Sequence, residues 1–235
     1  MRILIVGAGS LGSLLGGLLA RTHDVTLVGR DPHVSAVQAD GLRVTGVETL
    51  TPRPDATTDI GAASADLALV TVKAYDTASV VDDLATCDVE TVCSLQNGMG
   101  NEETLAAGLD TPVLAGTTTY GARLAGPGHV EWLGRGRVTV GPWRPADAAD
   151  RSERVAAAFR AAGLDATATT DVRHRLWQKL AINAAINPVT ALARVENGAL
   201  TQPGDLADVA TAAGTETARV ARADGVDLSA TTVRE

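Results

Sequence analysis

The sequence predicts an α/β protein with a Rossmann-like, doubly wound parallel sheet, followed by an all-helical C-terminal domain. Three observations predict this fold. Short apolar runs alternate with helix-length segments over residues 1–170, and a glycine-rich turn at residues 7–12 follows the first run. Beyond Asp171 the apolar pattern becomes helical. We therefore expect one domain at residues 1–170 and a helical domain at residues 171–235.

The individual elements follow from the period of the apolar residues. Short, almost wholly apolar runs are typical of buried parallel strands. Residues 129–133 and 137–140 are predicted to form a hairpin or meander that closes the sheet, because the turn-rich Gly134-Arg135-Gly136 joins them. The other predicted strands are residues 2–6, 24–28, 66–72, 90–95, 165–170 and a run from 112; the predicted helices are residues 12–21, 77–84, 102–108, 152–162, 172–193 and 206–224.

The composition argues against several classes of partner. The formal net charge is −8 and no basic footprint is present, so neither a nucleic acid nor an anionic membrane is an expected partner. The apolar segment at residues 3–20 contains the glycine-rich turn and ends at Arg21, so we expect no membrane span. Cys87 and Cys93 make no disulfide framework, which favours the cytoplasm. No metal site is expected.

Lysine is nearly absent from the sequence, which contains only Lys73 and Lys179. Arginine replaces lysine well on most surfaces, but not where a compact ammonium group or a transferable proton is needed. Both lysines are therefore candidate functional residues.

The glycine-rich turn predicts a dinucleotide site. Its residues form a G-x-G-x-x-G motif that follows a predicted strand and opens a helix. In that context Gly7 makes the tight turn, Gly9 admits the pyrophosphate and Gly12 lets the helix pack on the strand. The alternative is a glycine-rich turn without a ligand. The predicted cofactor-binding residues here are Gly7, Ala8, Gly9, Ser10, Leu11 and Gly12.

Arg30 bears on the choice of coenzyme. An acidic residue at the end of the second strand would favour the ribose hydroxyls of NAD. Gly29-Arg30 stands there instead, and an arginine can pair with the 2′-phosphate of NADP. The expected cofactor is therefore NADPH, with NADH as the alternative. A solvated surface cation is the other interpretation of Arg30.

Further polar residues follow the other predicted strands. Ligands of open α/β sheets lie beyond the carboxyl ends of the strands. Lys73 follows the third strand, Asn97 the fourth, and a threonine run leads from the fifth towards Ala122. Asn97-Gly98 is also compatible with ordinary turn chemistry. Its position at a strand end favours contact with a ligand.

A polar stripe crosses the apolar helix predicted at residues 172–193. Lys179, Asn183 and Asn187 recur every four residues, which places them on one face of a helix that we expect to be buried. Buried polar groups need partners, either a polar ligand or an internal hydrogen-bond network. Pro188 disfavours helical geometry at Asn187 and predicts a kink there. Asn197 follows and could cap the helix.

The stripe suits the reduction of a ketone. Burial lowers the pKa of a lysine, which makes the ammonium group a proton donor near neutral pH. The ketone oxygen gains negative charge as hydride arrives, and Lys179 can protonate it. The asparagine amides can hold a carboxylate and a hydroxyl group of the substrate.

Together these motifs resemble the ketopantoate reductase (2-dehydropantoate 2-reductase) family. The resemblance implies NADPH-dependent reduction of 2-dehydropantoate to pantoate, on the route to pantothenate and coenzyme A. It implies that Lys179 is the proton donor, and that Asn97, Asn183, Asn187 and Asn197 bind substrate. It places Arg30, Lys73, Asn97 and Ala122 at the cofactor. The segments that carry it are GAGSLG, TVKAYD, LQNGMGNEE, GTTTYGAR, LWQKLAINAAINPVTAL and ENG.

The sequence also departs from the family. Members of the family continue into further C-terminal helices, which carry a serine that contacts substrate and a glutamate near the catalytic lysine, the counterpart of Lys179. We expect this chain to be either a fragment or a shortened relative. Two alternative functions stay open: another hydroxyacid dehydrogenase of the same fold, and a cofactor-binding sensor without turnover. The oligomeric state is also open, with a homodimer as one alternative.

Overall fold

The computed structural model describes residues 1–145 and 149–229. The chain divides into two compact units, Met1–Val172 and Arg173–Glu235. The first unit is mixed α/β and the second is helical. No helix within the described residues is long and apolar enough to cross a membrane.

The first unit alternates strands and helices, with a short 3-10 helix at Ala74–Asp76. Its strands are β1 (Arg2–Val6), β2 (Asp24–Val28), β3 (Arg43–Gly46), β4 (Asp55–Thr57), β5 (Ser64–Ala65), β6 (Leu67–Val70), β7 (Asp88–Val89), β8 (Val92–Ser94), β9 (Val113–Thr118), β10 (Gly121–Gly126), β11 (His129–Gly134), β12 (Arg137–Pro142) and β13 (Asp165–Ala168). Its helices are α1 (Ser10–Leu19), α2 (His33–Asp40), α3 (Thr77–Leu84), α4 (Asn101–Gly108) and α5 (Ala149–Ala161).

In the part of the chain that the structure describes, the main sheet has eight strands in the order β13-β12-β9-β8-β6-β1-β2-β4. The pairs from β9 to β4 are all parallel. Chain order reverses on either side of β1, which is the doubly wound arrangement, and the predicted fold class is confirmed. Because parallel strands share one direction, the segments that follow β1, β2, β6 and β8 all emerge at the same edge of the sheet.

Strand β1 shows why both faces of the sheet are covered. Ile3 and Ile5 belong to an apolar cluster that includes residues of α1 and α5. Leu4 and Val6 belong to a second cluster with residues of α3 and α4. All four side chains are buried, which is why the strand is a continuous apolar run rather than an alternating one.

The hairpin predicted from residues 129–133 and 137–140 is wrong. Strand β11 pairs antiparallel with β10 and parallel with β3 in a separate three-stranded sheet, whereas β12 pairs with β9 and β13 in the main sheet. The glycines between them mark a place where the chain leaves one sheet for the other. A Cβ on Gly136 would lie 2.4 Å from the backbone of Thr119 and Tyr120, so the crossing requires a glycine.

The described residues of the second unit, 173–229, contain all but the first residue of α6 (Val172–Ala193), a 3-10 helix at Asn197–Thr201, and α7 (Asp205–Ala223). Ala185 and Val189 of α6 pack with Ala210 of α7 in its apolar cluster. Helix α6 continues through Pro188. The expectation that α6 is a buried helix is wrong for part of its surface, since Ile182 in its middle is 38% exposed and Leu192 near its end is 86% exposed. The apolar face that packs is narrower than the composition of the helix suggested.

Candidate functional site

The turn between β1 and α1 is built around two glycines that no other residue could replace without strain. Gly7 has a φ of +113°, and a Cβ there would lie 2.7 Å from the backbone nitrogen of Val72. A Cβ on Gly12 would lie 2.2 Å from the carbonyl oxygen of Gly7. The strand, the turn and the first helical turn are therefore packed directly against one another.

Gly9 differs from these two glycines. Its φ is −81°, and a Cβ there would meet no protein atom within 4 Å. Within the described part of the chain, the N–H groups of Ser10, Leu11 and Gly12 have no hydrogen-bond acceptor. The start of α1 thus presents free donors beside an open surface, the arrangement that binds the phosphates of a dinucleotide. The residues present fit that group.

Hydrogen bonds hold this turn in place. The N–H groups of Gly7 and Ala8 both donate to the carbonyl oxygen of Val28, at 3.0 and 2.8 Å. Thr71 donates its hydroxyl to the carbonyl oxygen of Gly7 at 2.9 Å. Sequence reasoning had given Thr71 no role. A hydroxyl near the carboxyl end of the third predicted strand, residues 66–72, was the signal that could have identified it.

Arg30 lies at the same edge, directly after β2. A Cβ on Gly29 would lie 2.7 Å from the Cβ of Ala8, so the end of β2 packs against the glycine turn and brings Arg30 beside it. The guanidinium is largely exposed and lies 3.7 Å from the carboxylate of Asp76. No motif in the sequence marked Asp76 as a partner of Arg30.

Lys73 and Asn97 follow β6 and β8 at this edge, and both are exposed. A buried amide network connects the two segments. Gln96 donates through Nε2 to the carbonyl oxygen of Val72 at 3.2 Å and to the hydroxyl of Thr77 at 2.8 Å. The structure therefore groups Lys73 and Asn97 with the glycine turn. Neither Gln96 nor Thr77 was predicted.

Ala122 belongs to a different sheet from the other cofactor candidates. It lies on β10, half-buried and paired with Trp132 of β11. Two residues further on, the N–H of Leu124 donates to the hydroxyl oxygen of Ser10 at 2.9 Å. This hydrogen bond attaches strand β10 to the start of α1, and it thereby brings Ala122 near the glycine turn.

Glu102 is a buried carboxyl group that sequence reasoning missed. It lies in the first turn of α4 and is 1% exposed, and within the described residues neither carboxyl oxygen has a hydrogen-bond partner. Burial raises its pKa, and the Ser94 hydroxyl close by acts in the opposite direction. Two glutamates at the start of a helix resemble simple dipole-stabilising residues, so no feature of the sequence distinguished this one.

In the second unit, α6 carries Lys179, Asn183 and Asn187 four residues apart. Lys179 and Asn183 are half-buried, and burial lowers the pKa of the lysine ammonium group. Asn187 is exposed, so the prediction that the whole stripe is buried is wrong at that position. Asn197 is the first residue of the 3-10 helix and is also exposed, so it does not cap α6.

Comparison with known proteins identifies the family. Residues 3–145 match the family model described as "Ketopantoate reductase PanE/ApbA", and residues 171–235 match "Ketopantoate reductase PanE/ApbA C terminal". The chain belongs to the ketopantoate reductase family. The predicted resemblance is confirmed, and membership of this family makes the chain an oxidoreductase.

Individual relatives agree with this assignment. The 2-dehydropantoate 2-reductase of Halobacterium salinarum is 45% identical over 99% of this chain and 79% of its own length. That of Archaeoglobus fulgidus is 42% identical over 97% of this chain and 76% of its own length. Among solved structures, a PanE/ApbA family ketopantoate reductase from Ralstonia eutropha is 35% identical, with a TM-score of 0.89 over 100% of this chain and 79% of its own.

One structural neighbour has a different activity. A D-mandelate dehydrogenase, solved with NADH and anilino(oxo)acetate, has a TM-score of 0.90 over 99% of this chain and 77% of its own, at 23% sequence identity. This likeness concerns the fold alone.

Proposed function

We propose that the chain reduces 2-dehydropantoate to (R)-pantoate with NADPH, with Lys179 as the proton donor. The observation that carries the proposal is the half-buried lysine on α6, whose pKa is lowered by burial, with Asn183 one turn further along the same face. In the proposal the first unit is the dinucleotide-binding domain and the second carries the substrate and catalytic residues. The relatives with this named activity support the choice of substrate.

Cofactor binding is assigned to the glycine turn and the strand ends beside it. The free N–H groups of Ser10, Leu11 and Gly12 would hold the pyrophosphate, while Ala8 lines the turn. Arg30 and Lys73 supply positive charge for a 2′-phosphate, which favours NADPH over NADH. Asn97 and Ala122 would contact the nicotinamide end. When bound, NADPH supplies the hydride.

A residue of the chain itself would then donate the proton. The carbonyl carbon of the substrate accepts the hydride and its oxygen becomes negatively charged. The Lys179 ammonium group donates one proton to that oxygen and becomes a neutral amine, so the product is the hydroxyl group of pantoate. Asn183, Asn187 and Asn197 would hold the carboxylate and hydroxyl groups of the substrate. The reaction would supply pantoate for pantothenate and coenzyme A synthesis in the cytoplasm.

A substrate panel tests the activity. NADPH oxidation is followed with 2-dehydropantoate and with other branched 2-keto acids, under multiple-turnover and single-turnover conditions. We expect the highest kcat/KM for 2-dehydropantoate. Equal turnover of the other branched acids would assign the chain to another hydroxyacid dehydrogenase. NADPH binding without oxidation of NADPH in a single turnover would indicate a sensor.

The two lysines provide a matched pair for the assigned roles. Lys179→Ala should abolish turnover and leave the Kd of NADPH unchanged, because the lost group acts only on the substrate. Lys73→Ala should weaken NADPH binding and keep most of the kcat at saturating NADPH. Equal loss of binding and turnover in both variants would refute the separate roles.

A further inference from the structure

The side chain of His33 connects two segments of the first unit that are distant in sequence. Gly128, in the turn between β10 and β11, donates its N–H to Nδ1 of His33 at 3.1 Å. Nε2 of the same ring lies 3.0 Å from the hydroxyl of Ser13, and that hydroxyl donates to the carbonyl oxygen of Ala8 at 3.1 Å. Ala8 belongs to the glycine turn, so the chain of bonds runs from the hairpin to the proposed pyrophosphate site.

The direction of each hydrogen bond follows from its partners. A backbone N–H can only donate, so Nδ1 of His33 is an acceptor and carries no proton. The neutral ring must then be protonated at Nε2, which donates to Ser13, and Ser13 in turn donates to Ala8. A ring protonated on both nitrogens would place two N–H groups against each other at Gly128. The neutral ring is therefore the form that completes the link.

The surroundings of the ring support this form. His33 is 6% exposed and Ser13 is fully buried. Burial lowers the pKa of His33, while the Gly126 backbone beside the ring acts in the opposite direction. Helix α1 carries no ionisable residue, and the turn from Gly126 to Gly128 carries none either. The carboxylate of Asp31, two residues before the start of α2, accepts hydrogen bonds from the N–H and hydroxyl of Ser35.

We propose that His33 is a positioning residue, which holds the Ala8 segment of the glycine turn in its pyrophosphate-binding conformation by bonding it to the β10–β11 turn. The proposal rests on the proposed function only in taking that turn as the cofactor site. The same hairpin also bonds to Ser10 through the N–H of Leu124, so the hairpin holds the glycine turn at two points. Removal of the imidazole breaks the connection between the hairpin and Ala8 and leaves the hydrogen bond between Leu124 and Ser10 intact.

The test compares two ligands that differ in the pyrophosphate. NADPH contains it, whereas adenosine 2′-phosphate carries the 2′-phosphate without it. We expect His33→Leu to raise the Kd of NADPH by roughly fivefold, as the loss of a buried hydrogen-bond link implies. The Kd of adenosine 2′-phosphate should stay at the wild-type value, because that ligand does not reach the turn. Both values are measured by fluorescence titration well below the melting temperature.

Conservative variants separate positioning from general stability. His33→Asn keeps an acceptor near the Nδ1 position, and His33→Gln keeps a donor near the Nε2 position, so each should restore part of the NADPH affinity. The matched control is His23→Leu. His23 follows the C-terminal end of α1, away from the glycine turn, and its ring bonds to the carbonyl oxygen of Ala158. That variant should lower the melting temperature without changing the Kd of NADPH.

The possible outcomes distinguish this inference from the proposed function. A wild-type chain that does not bind NADPH overturns the cofactor assignment and this inference with it. A wild-type chain that binds NADPH, with a His33→Leu variant that binds it equally well, overturns this inference alone. If His33→Leu fails to fold, Ser13→Ala removes only the hydroxyl between His33 and Ala8, and the same comparison of ligands decides.

Discussion

The guanidinium of Arg30 and the carboxylate of Asp76 form an ion pair in the first unit, with Nη2 and Oδ2 3.7 Å apart. The pair joins the end of β2 to the 3-10 helix that follows β6. The side chain of Arg30 is 89% exposed, so the pair contributes little to stability. Its consequence concerns binding, because Asp76 competes with any phosphate for Arg30.

This pair predicts the coenzyme preference. Asp76→Asn should strengthen NADPH binding relative to NADH by about two- to fivefold, since it frees Arg30 for the 2′-phosphate. Arg30→Ala should weaken NADPH binding more than NADH binding. The Kd values of both coenzymes are measured by titration. Asp82→Asn on α3 makes the same change of net charge as a control, and an unchanged ratio in the Arg30 variant would contradict the assigned role.

Two alanine substitutions in the glycine turn should have different effects. Gly12→Ala puts a methyl group 2.2 Å from the carbonyl oxygen of Gly7, so we expect the variant to lose about 1–3 kcal/mol of stability along with NADPH affinity. Gly9→Ala meets no protein atom, so the variant should keep its melting temperature and lose NADPH affinity alone. Undiminished NADPH binding by Gly9→Ala would show that the ligand does not approach the turn there.

The lowered pKa of Lys179 predicts the pH dependence of turnover. The donor is the ammonium form, so kcat for ketone reduction should fall as pH rises through a pKa below the ordinary value for a lysine. The reverse reaction needs the neutral amine, so kcat for pantoate oxidation should rise through the same pKa. Profiles that do not move in opposite directions would exclude Lys179 as the group that transfers the proton.

His33 predicts a loss of stability in acid. Its pKa is lowered in the folded state, so the unfolded chain binds more protons at any pH between the folded and the ordinary pKa. Its contribution is complete above the ordinary pKa of histidine and is lost as pH falls towards the folded pKa. Urea unfolding of the wild type and of His33→Leu should therefore give stabilities that converge below about pH 6. A constant difference across that range would mean that the ring does not titrate on unfolding.

Glu102 predicts the opposite dependence. Its raised pKa means that its contribution is present below the ordinary pKa of a glutamate and is lost as pH rises through the folded pKa. At neutral pH, Glu102→Gln should therefore have a free energy of unfolding equal to that of the wild type or up to about 1 kcal/mol higher. The amide avoids the cost of burying a charge. Glu103→Gln, at the exposed neighbouring position, is the control and should change little. A Glu102→Gln variant that is less stable than the wild type at neutral pH would mean that the buried carboxylate has a partner.

The sequence by itself determined the local features of this protein. The apolar runs at β1 and β2 predicted those strands to the residue; β1 is a continuous apolar run because it is buried on both faces, whereas in β2 only Val25 and Leu27 are buried. The glycines at 7, 9 and 12 were identified from the spacing of the G-x-G-x-x-G motif, which can be recognised in the sequence alone. The four-residue period placed Lys179 and Asn183 on one helical face, since helical geometry is set by the backbone alone.

Only the tertiary structure decided which strands pair and which side chains are buried. The glycines at 134 and 136 indicated a turn, but a turn does not specify whether β12 returns to β11 or joins β9 in another sheet. Helix α2 and strand β10 were not predicted, because their sequences carry little apolar period. The exposure of Asn187, the burial of Glu102 and the link through His33 all depend on contacts between residues distant in sequence. Local propensity contains no information about such contacts, because their energies exist only once the chain has folded.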